Sequence, residues 1–271
     1  MRGVISHRVT LTRGCLGSIP AMSAPSTAPK AGPFIATLSS RQPVGDGVVD
    51  LVFTMRSPSW LPFQAGQFVS LAIGAGEGSG GGAAPKRRSY SIASPSGTGD
   101  RLRFIVRAIP EGAATDFLLN LPVGGEVHMT GPHGFFVLDQ QHSGDVVFGA
   151  TGTGLAAVLP MLDELSRRPV EGRRILFWGA RHEADLFTRG EVEELCRRAS
   201  VDLRVLLTAP PPGWTGGRGR ITQAILDLLP ELRSPTFYLV GNGAMITDVK
   251  RELIARGVDR KRQIRTEAFF D

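Results

Sequence analysis

Residues 145–162 read DVVFGATGTGLAAVLPML, a short apolar run that leads through two glycines into a second apolar segment. The first run has the length and composition of a buried strand, and the second continues as a helix. Between them stands Gly152-x-Gly154-x-x-Ala157. In this context glycines allow a tight turn and close backbone approach, and the helix N–H groups face the phosphates of a dinucleotide. We predict a nucleotide site here; the alternative is a tight strand–helix turn with no ligand.

Strands and helices alternate from this point to the end of the sequence. Strand patterns lie at residues 145–150, 173–180, 202–209, 236–241 and 263–270, and helical patterns at residues 155–168, 190–199, 221–229 and 244–257. Such alternation predicts a doubly wound parallel sheet with helices on both faces. We assign residues 140–271 to this α/β domain.

Short alternating apolar runs, separated by Gly, Pro and Asp, occupy the preceding part of the chain. They lie at residues 34–44, 48–55, 67–73, 88–94, 101–109 and 125–131. One helical stretch, residues 115–121, interrupts them. The pattern predicts an antiparallel six-stranded Greek-key β-barrel, which we place at residues 33–139. Within it, the glycine-rich residues 74–85 predict a mobile loop.

Seven short motifs, in a fixed order, give these two domains a family resemblance. They are Arg88-Ser-Tyr90-Ser91 with Ser94, Gly112-Ala-Ala-Thr115, Gly131-Pro132-His-Gly134-x-Phe136, Thr151-Gly152-Thr153-Gly154-Leu-Ala, Trp214-Thr-Gly216 with Gly219-Arg220, Gly241-Asn-Gly-Ala-Met245, and Thr266-Glu267-Ala-Phe269-Phe270. Together they resemble the ferredoxin–NADP reductase superfamily. The resemblance implies FAD bound by the barrel, NADPH or NADH bound by the α/β domain as co-substrate, and hydride transfer between the two.

The resemblance also assigns roles to individual side chains. Arg88 presents a fork of donors for a diphosphate oxygen, and Tyr90 a flat ring for the isoalloxazine. Ser91 and Glu267 are the candidate catalytic residues, with Ser91 near flavin N5 and Glu267 as proton donor or nicotinamide neighbour. The candidate cofactor-binding residues are Arg88, Tyr90, Ser91, Ile105, Arg107, Gly112, Thr115, Thr151, Gly152, Thr153, Gly154, Arg181, Arg220, Gly241, Met245 and Phe269. No metal site is expected.

Each of these assignments has a structural alternative. Arg88 and Tyr90 would otherwise form an outward strand face, and Thr115 would be the N-cap of the following helix, a role compatible with phosphate binding. Glu267 would be a solvated charge. Phe269 would either cover the second flavin face or close the core of the sheet.

Three positions depart from the family's pattern. Val240 stands where the family has a cysteine, so no thiol lies beside the hydride path and we expect a changed affinity or rate. Thr208-Ala209 replaces a Ser-Arg pair that often grips a 2′-phosphate. Arg181 replaces the acid expected after the second α/β strand and suits a 2′-phosphate, or is a solvated loop charge. The preference between NADPH and NADH stays open.

The net charge of +6 is concentrated at the start of the 271 residues. Residues 1–30 hold four basic residues and no acid, so +4 of the +6 lies there and +2 in the rest. Without a basic stripe of interleaved aromatics, we expect no nucleic-acid partner. Residues 1–32 are interpreted as a disordered leader or transit-like segment; alternatively, Met22 is the true start of the protein.

The sequence has two cysteines, Cys15 and Cys196. They are too few for a four-thiolate zinc or iron–sulfur site or for a disulfide framework. No apolar run approaches the ~20 residues of a membrane span.

The resemblance implies an FAD enzyme that passes single electrons to a carrier such as ferredoxin or flavodoxin, and the cysteine count predicts that this carrier is external. We expect a cytoplasmic monomer. A basic run, Arg260-Lys261-Arg262, is one place where an acidic carrier would dock. The alternative location is an organelle, reached through the acid-free leader. Alternative functions are the reductase component of an oxygenase, a flavin or cytochrome reductase, or a non-catalytic nucleotide-sensing flavoprotein.

Overall fold

The computed structural model describes residues 32–74, 86–141 and 143–269. Nearly all of the leader, the glycine-rich residues 75–85 and Phe270 lie outside these ranges, so the expectations for them stay predictions.

The first domain is an antiparallel sheet of six strands. The strands are β1 (Phe34–Gly45), β2 (Val48–Ser57), β3 (Phe68–Ile73), β4 (Lys86–Ser91), β5 (Arg101–Arg107) and β6 (Glu126–His133), with helix α1 (Ala113–Asn120) before β6. Their order is β4-β3-β6-β1-β2-β5, so β6 lies between β3 and β1 as in a Greek key. The Ala93 N–H, just beyond β4, donates to the Arg103 carbonyl of β5 at 2.8 Å and closes the barrel. The predicted barrel is confirmed.

Alternate side chains of these strands fill the barrel. On β2, Leu51, Phe53 and Met55 are at most 3% exposed, as the two-residue period of a strand requires. Phe53 packs against Phe104 of β5 with ring centroids 5.7 Å apart. Burying each such side chain stabilises the fold by about 1.5–3 kcal/mol.

The second domain is a parallel sheet of six strands. They are β7 (Val146–Thr151), β8 (Arg174–Ala180), β9 (Asp202–Leu207), β10 (Gly217–Arg218), β11 (Thr236–Asn242) and β12 (Ile264–Phe269). Their order is β10-β9-β8-β7-β11-β12, with the first strand at the centre and later strands added on both sides. This confirms the doubly wound α/β domain.

Helices cover both faces of this sheet. They are α2 (Leu155–Leu165), α3 (Arg189–Arg198), α4 (Ile221–Leu228), α5 (Gly243–Ala255) and the short α6 (Arg260–Gln263). One buried cluster joins α2 and α3 to Phe148 and Trp178, and another joins α4 and α5 to Val147 and Phe177. Neighbouring residues of one strand therefore enter opposite cores, which explains the continuous apolar runs of β7 and β8.

The segment between the barrel and β7 packs mainly on the α/β domain. Phe136 and Leu138 belong to the same buried cluster as α2, and the Asp139 N–H donates to the Tyr238 hydroxyl at 2.9 Å. The predicted limit between residues 139 and 140 lies within this segment and stays a prediction. In the described ranges, no helix has both the length and the apolar character needed to cross a bilayer.

Candidate functional site

The two domains meet where the last strand of the α/β sheet approaches the end of β4. There the Ser91 hydroxyl donates to Oε1 of Glu267 at 2.8 Å. Ser91 is 7% exposed, and Glu267 lies beside Val240 in the parallel pairing of β11 and β12. The structure therefore brings the two predicted catalytic residues together.

Glu267 is held in a setting that favours its protonated form. Burial raises the pKa of this carboxyl, and the hydrogen bond from Ser91 lowers it by a smaller amount. The side chain therefore keeps its proton to a higher pH than an exposed glutamate does, and it can hold or release a proton beside Ser91.

Tyr90 and Arg88 lie on one face of β4, two residues apart. The Tyr90 ring is half-buried, with its centroid 6.3 Å from that of Phe104. Burial raises the pKa of Tyr90 to about 12, so the ring is a neutral phenol at physiological pH. Arg88 is exposed, and its Nη1 donates to the Arg87 carbonyl at 2.9 Å. The pair presents an aromatic ring and an exposed guanidinium group next to Ser91.

The Gly112–Thr115 motif forms the start of α1. Gly112 is the N-cap and no side chain caps the helix, so the interpretation of Thr115 as an N-cap is wrong. Thr115 is the third helical residue, buried, and its hydroxyl accepts from the Ile109 N–H at 3.5 Å. An uncapped helix start presents N–H donors that suit an anion such as a diphosphate.

The glycine turn after β7 is a short 3₁₀ segment, Gly152–Gly154, that leads into α2. A Cβ on Gly154 would lie 2.8 Å from the Cα of Gly241, whereas a Cβ on Gly152 would meet no atom within 4 Å. One side of the turn therefore packs against β11, and the other side faces open space where a ligand's phosphates fit.

The carboxyl ends of β7 and β11 are locked together beside this turn. The Asn242 N–H donates to the Thr151 hydroxyl at 2.9 Å. Gly241 has φ +115°, and a Cβ there would lie 2.5 Å from the Thr151 carbonyl oxygen. Only glycine fits this position.

Asn242 is a residue of the site that the motifs did not single out. Its side chain accepts from the Met245 N–H at 3.1 Å and caps α5. Met245, half-buried, packs against the α4 and α5 cluster. An asparagine directly before an apolar helical pattern was the available signal.

Arg181 and the residues after β9 are close in space. The Ala209 N–H donates to the Arg181 carbonyl at 2.8 Å, and the Thr208 N–H to the Ala180 carbonyl at 3.1 Å. Arg181 and Arg220 are both exposed, and Arg220 is the N-cap residue of α4. The segment that contains Arg181 and the segment that contains Thr208 and Ala209, both candidates for binding a 2′-phosphate, thus lie side by side at the carboxyl ends of β8 and β9.

Ile105 and Phe269 pack toward the interior of the molecule, and Arg107 faces the α/β domain. Ile105 is 5% exposed in the α2 and α3 cluster, and Phe269 packs partly buried against the same cluster. Arg107 faces Asp185 of the α/β domain at 3.6 Å. Phe269 therefore contributes to the core of the sheet, and the cofactor contacts of all three stay predictions.

The Trp214 motif shapes the loop after β9. The Trp214 indole N–H donates to the Gly217 carbonyl at 2.9 Å, and the Arg189 guanidinium lies 5.8 Å from the ring centroid. A cavity of about 720 Å³ lies beneath this loop, against strand β9. It is separate from the Ser91–Glu267 junction.

Comparison with known proteins identifies the two domains. The oxidoreductase FAD-binding domain family matches residues 35–138, and the oxidoreductase NAD-binding domain family matches residues 148–251. The chain is 30% identical to ferredoxin–NADP reductase B of Sorangium cellulosum over 235 residues, which cover 84% of this chain and 93% of that protein. The chain belongs to the ferredoxin–NADP reductase superfamily.

Another relative is similar in sequence, and two solved structures share the fold of this chain. The phenol 2-monooxygenase reductase component DmpP of a Pseudomonas species is 40% identical over 140 residues, 51% of this chain and 37% of that protein. The crystal structure of Amycolatopsis cytochrome P450 reductase GcoB matches with TM-score 0.75 and 28% identity, over 87% of this chain and 69% of that one. A Neisseria gonorrhoeae ferredoxin NADP+ reductase with bound FAD and NADP matches with TM-score 0.74 and 21% identity, over 88% and 100%.

The residues present fit the cofactors of the superfamily. Arg88 and the uncapped start of α1 are donors suited to the FAD diphosphate, and Tyr90 offers the ring face beside them. The open side of Gly152 leaves room for the phosphates of NAD(P)H. Among the residues that the structure describes, no three His, Cys, Asp or Glu side chains are grouped so as to hold a metal ion.

Proposed function

We propose that this chain is an FAD-dependent reductase that takes hydride from NAD(P)H and supplies single electrons to a separate carrier protein. The observation that carries the proposal is the Ser91–Glu267 hydrogen bond of 2.8 Å. It joins the strand of the FAD-binding motif to the edge of the NAD-binding sheet, so groups bound by the two domains meet at this point.

The side chains of the barrel bind and orient the flavin nucleotide. Arg88 and the first N–H groups of α1 hold the diphosphate, and Tyr90 holds the ring system by stacking. Since the pKa of Tyr90 is about 12, it adds no negative charge to this position at physiological pH. When bound, FAD accepts two electrons as a hydride and can release them one at a time.

Ser91 and Glu267 supply the polar groups at the junction. The Ser91 hydroxyl is free to turn from Glu267 to another acceptor, because a hydroxyl rotates about its Cβ–Oγ bond. Glu267 holds a proton at its carboxyl group, since burial raises its pKa. Phe269, two residues further on, packs partly buried against the core cluster of α2 and α3.

The α/β domain binds the nicotinamide nucleotide at the carboxyl edge of its sheet. The Gly152–Gly154 turn and the start of α2 receive the pyrophosphate. Arg181, exposed beside Thr208 and Ala209, supports NADPH over NADH because its guanidinium suits a 2′-phosphate.

A separate carrier is proposed as acceptor on chemical grounds. The two cysteines of the sequence are too few for a four-thiolate cluster that would take the electrons onward. The chain is also 30% identical, over 84% of its residues, to a protein named ferredoxin–NADP reductase. The basic run Arg260–Arg262 precedes the amino end of β12, whereas Glu267 lies toward its carboxyl end. That run is therefore poorly placed to receive a carrier at the Ser91–Glu267 junction.

A second candidate is the reductase component of an oxygenase. The 40% identity to the phenol 2-monooxygenase reductase component over 140 residues favours it. In that case the electrons would pass to an oxygenase subunit instead of to ferredoxin or flavodoxin.

The acceptor is tested by carrier dependence. FAD-loaded protein is mixed with NADPH and cytochrome c, with increasing amounts of purified ferredoxin or flavodoxin, and a mixture without the enzyme is the control. The proposal predicts that cytochrome c reduction rises with the amount of carrier. A rate that does not change with either carrier would contradict it and would favour the oxygenase component or a direct cytochrome or flavin reductase.

A further inference from the structure

Arg103 of the barrel binds a carboxylate of each domain at the same time. On β5, its Nε donates to Oδ2 of Asp50 on β2 at 2.8 Å. Its Nη1 and Nη2 donate to the two carboxylate oxygens of Glu191, on the first turn of α3, at 2.5 and 2.8 Å. One guanidinium therefore fixes a barrel strand to a helix of the α/β domain by a bidentate contact, which defines direction as well as distance.

The three charged side chains of this group, Arg103, Asp50 and Glu191, are partly buried. The side chains of Arg103, Asp50 and Glu191 are 20%, 17% and 38% exposed. Burial raises the pKa of Asp50 although Arg103 acts to lower it. Desolvation offsets much of the electrostatic attraction in such a group, so its net contribution to the free energy of folding is small. Its main effect is to fix the relative positions of the elements that carry the charges.

The surrounding contacts attach the same segment of the α/β domain to the barrel. Phe187 is fully buried against Trp178, with ring centroids 5.8 Å apart, and its Cβ lies 3.1 Å from where a Cβ on Gly45 of β1 would stand. Arg107 of β5 faces Asp185 at 3.6 Å. Residues 185–191 therefore contact the barrel in three ways. Phe187 packs against Gly45, and ion pairs at Asp185 and Glu191 lie on either side of it.

This segment follows Arg181 and the carboxyl end of β8. The edge proposed to bind NAD(P)H is therefore tied to the barrel through Glu191 on one side and through Glu267 on the other. Hydride transfer needs the reacting atoms about 3–3.5 Å apart, and a displacement of about 1 Å costs roughly 100-fold in rate. The angle between the two domains is the variable that these contacts control.

We propose that Arg103 and Glu191 form a positioning pair that sets the orientation of the NAD-binding domain on the FAD-binding barrel for hydride transfer. The pair acts through the placement of the domains, because both carboxylate partners of Arg103 are protein side chains. This inference rests on the proposed function.

The test is the variant Glu191→Ala in FAD-loaded protein. Anaerobic stopped-flow mixing with NADPH gives both the rate constant of flavin reduction at saturation and the nucleotide concentration at half-saturation. We expect the rate constant to fall roughly 10-fold, as a displacement of less than 1 Å implies, with the half-saturating concentration unchanged. Glu191→Gln, which retains one acceptor oxygen for Arg103, should recover part of the rate.

The matched control is Glu194→Ala on the same helix. Glu194 pairs with Arg197 at 2.7 Å within α3, so its loss removes an ion pair without touching the barrel. Urea unfolding checks that the variants fold, and Arg103→Lys, which keeps the charge but loses the fork, replaces Glu191→Ala if that variant is unfolded.

Two results would overturn the positioning role. One is a rate constant within twofold of the wild type in Glu191→Ala, or in Arg103→Lys where that variant replaces it. The other is an equal loss in Glu194→Ala. Failure of the proposed function is distinguishable, since the wild-type flavin would then be reduced by dithionite but not by NADPH or NADH.

Discussion

The hydroxyl of Ser91 and the carboxyl of Glu267, 176 residues apart in the chain, share a hydrogen bond of 2.8 Å. Ser91 ends the strand that carries Arg88 and Tyr90, and Glu267 belongs to the last strand of the parallel sheet. One contact thus connects the strand that carries Arg88 and Tyr90 with the edge of the α/β sheet that we propose binds the nicotinamide nucleotide.

Replacing Ser91 by Ala should slow flavin reduction at saturating NADPH by roughly 10- to 100-fold. A hydrogen bond to a charged or reacting group is worth about 1.5–3 kcal/mol, and about 1.4 kcal/mol is tenfold in rate. Anaerobic stopped-flow absorbance measures the rate. Ser89→Ala, an exposed serine on the same strand, is the control and should retain the wild-type rate. Equal rates in the two variants would remove Ser91 from the hydride path.

Replacing Glu267 by Gln should make the stability of the protein less dependent on pH. The folded-state pKa of Glu267 is raised, so in the pH window from its unfolded value up to the raised value the folded chain binds more protons. Stability therefore falls as the pH rises through that window, and below the window this loss is absent. Gln does not ionise, so Glu267→Gln should gain stability relative to the wild type with rising pH. Urea unfolding at several pH values measures the difference; a constant difference would show that Glu267 is not buried as described.

Replacing Arg88 by Ala should weaken FAD binding by roughly 10- to 100-fold. The reason is the loss of a charge-assisted hydrogen bond to the diphosphate, worth about 1.5–3 kcal/mol. The dissociation constant of FAD from apoprotein, followed by flavin fluorescence, is the readout. Arg87→Ala removes the neighbouring exposed arginine, whose Nη1 donates to the Ser70 carbonyl at 3.3 Å, and should leave FAD affinity nearly unchanged. Unaltered affinity in Arg88→Ala would refute the diphosphate contact.

Replacing Gly241 by Ala should destabilise the fold by about 2–4 kcal/mol, because the new Cβ would collide with the Thr151 carbonyl and φ is +115°. Gly243→Ala, two residues away, is the control, since a Cβ there meets no atom within 4 Å. Chemical denaturation of the two variants gives the comparison. Similar midpoints would contradict the close approach of β7 and β11.

Replacing Arg181 by Ala should reduce the use of NADPH selectively. Loss of the guanidinium removes a partner of the 2′-phosphate, which NADH lacks, so kcat/KM should fall roughly tenfold or more for NADPH only. Steady-state kinetics with both nucleotides measures the ratio, and Arg260→Ala, in α6 at the other end of the sheet, controls for general charge. An equal loss with NADH would exclude this role.

The periodicity of the sequence predicts most of the fold. With the exception of β10, the strands of both sheets and helices α1 to α5 lie close to their expected positions, because most of them carry a period of buried side chains. Strand β10 has two residues and helix α6 has four, too few to show a period. Helix α1 begins at Ala113 instead of residue 115, because Gly112 caps it without a side chain.

The site is predicted in its parts but not in its connections. The motifs single out Ser91 and Glu267 separately, yet their contact depends on how the two domains dock. The same holds for Asn242 on Thr151 and for Arg103 on Glu191, which are 91 and 88 residues apart. Such pairs follow from tertiary packing, which no local pattern contains.

Transfer of hydride from NAD(P)H to FAD held by this chain is measured by an anaerobic titration. Purified, FAD-loaded protein is titrated with NADPH and, separately, with NADH, and the absorbance of the bound flavin is followed. We expect at least one nucleotide to bleach the flavin stoichiometrically, at a rate that falls in Ser91→Ala. A protein that retains no FAD when supplied with it, or a bound flavin that neither nucleotide bleaches, would show that the chain does not carry out this reaction.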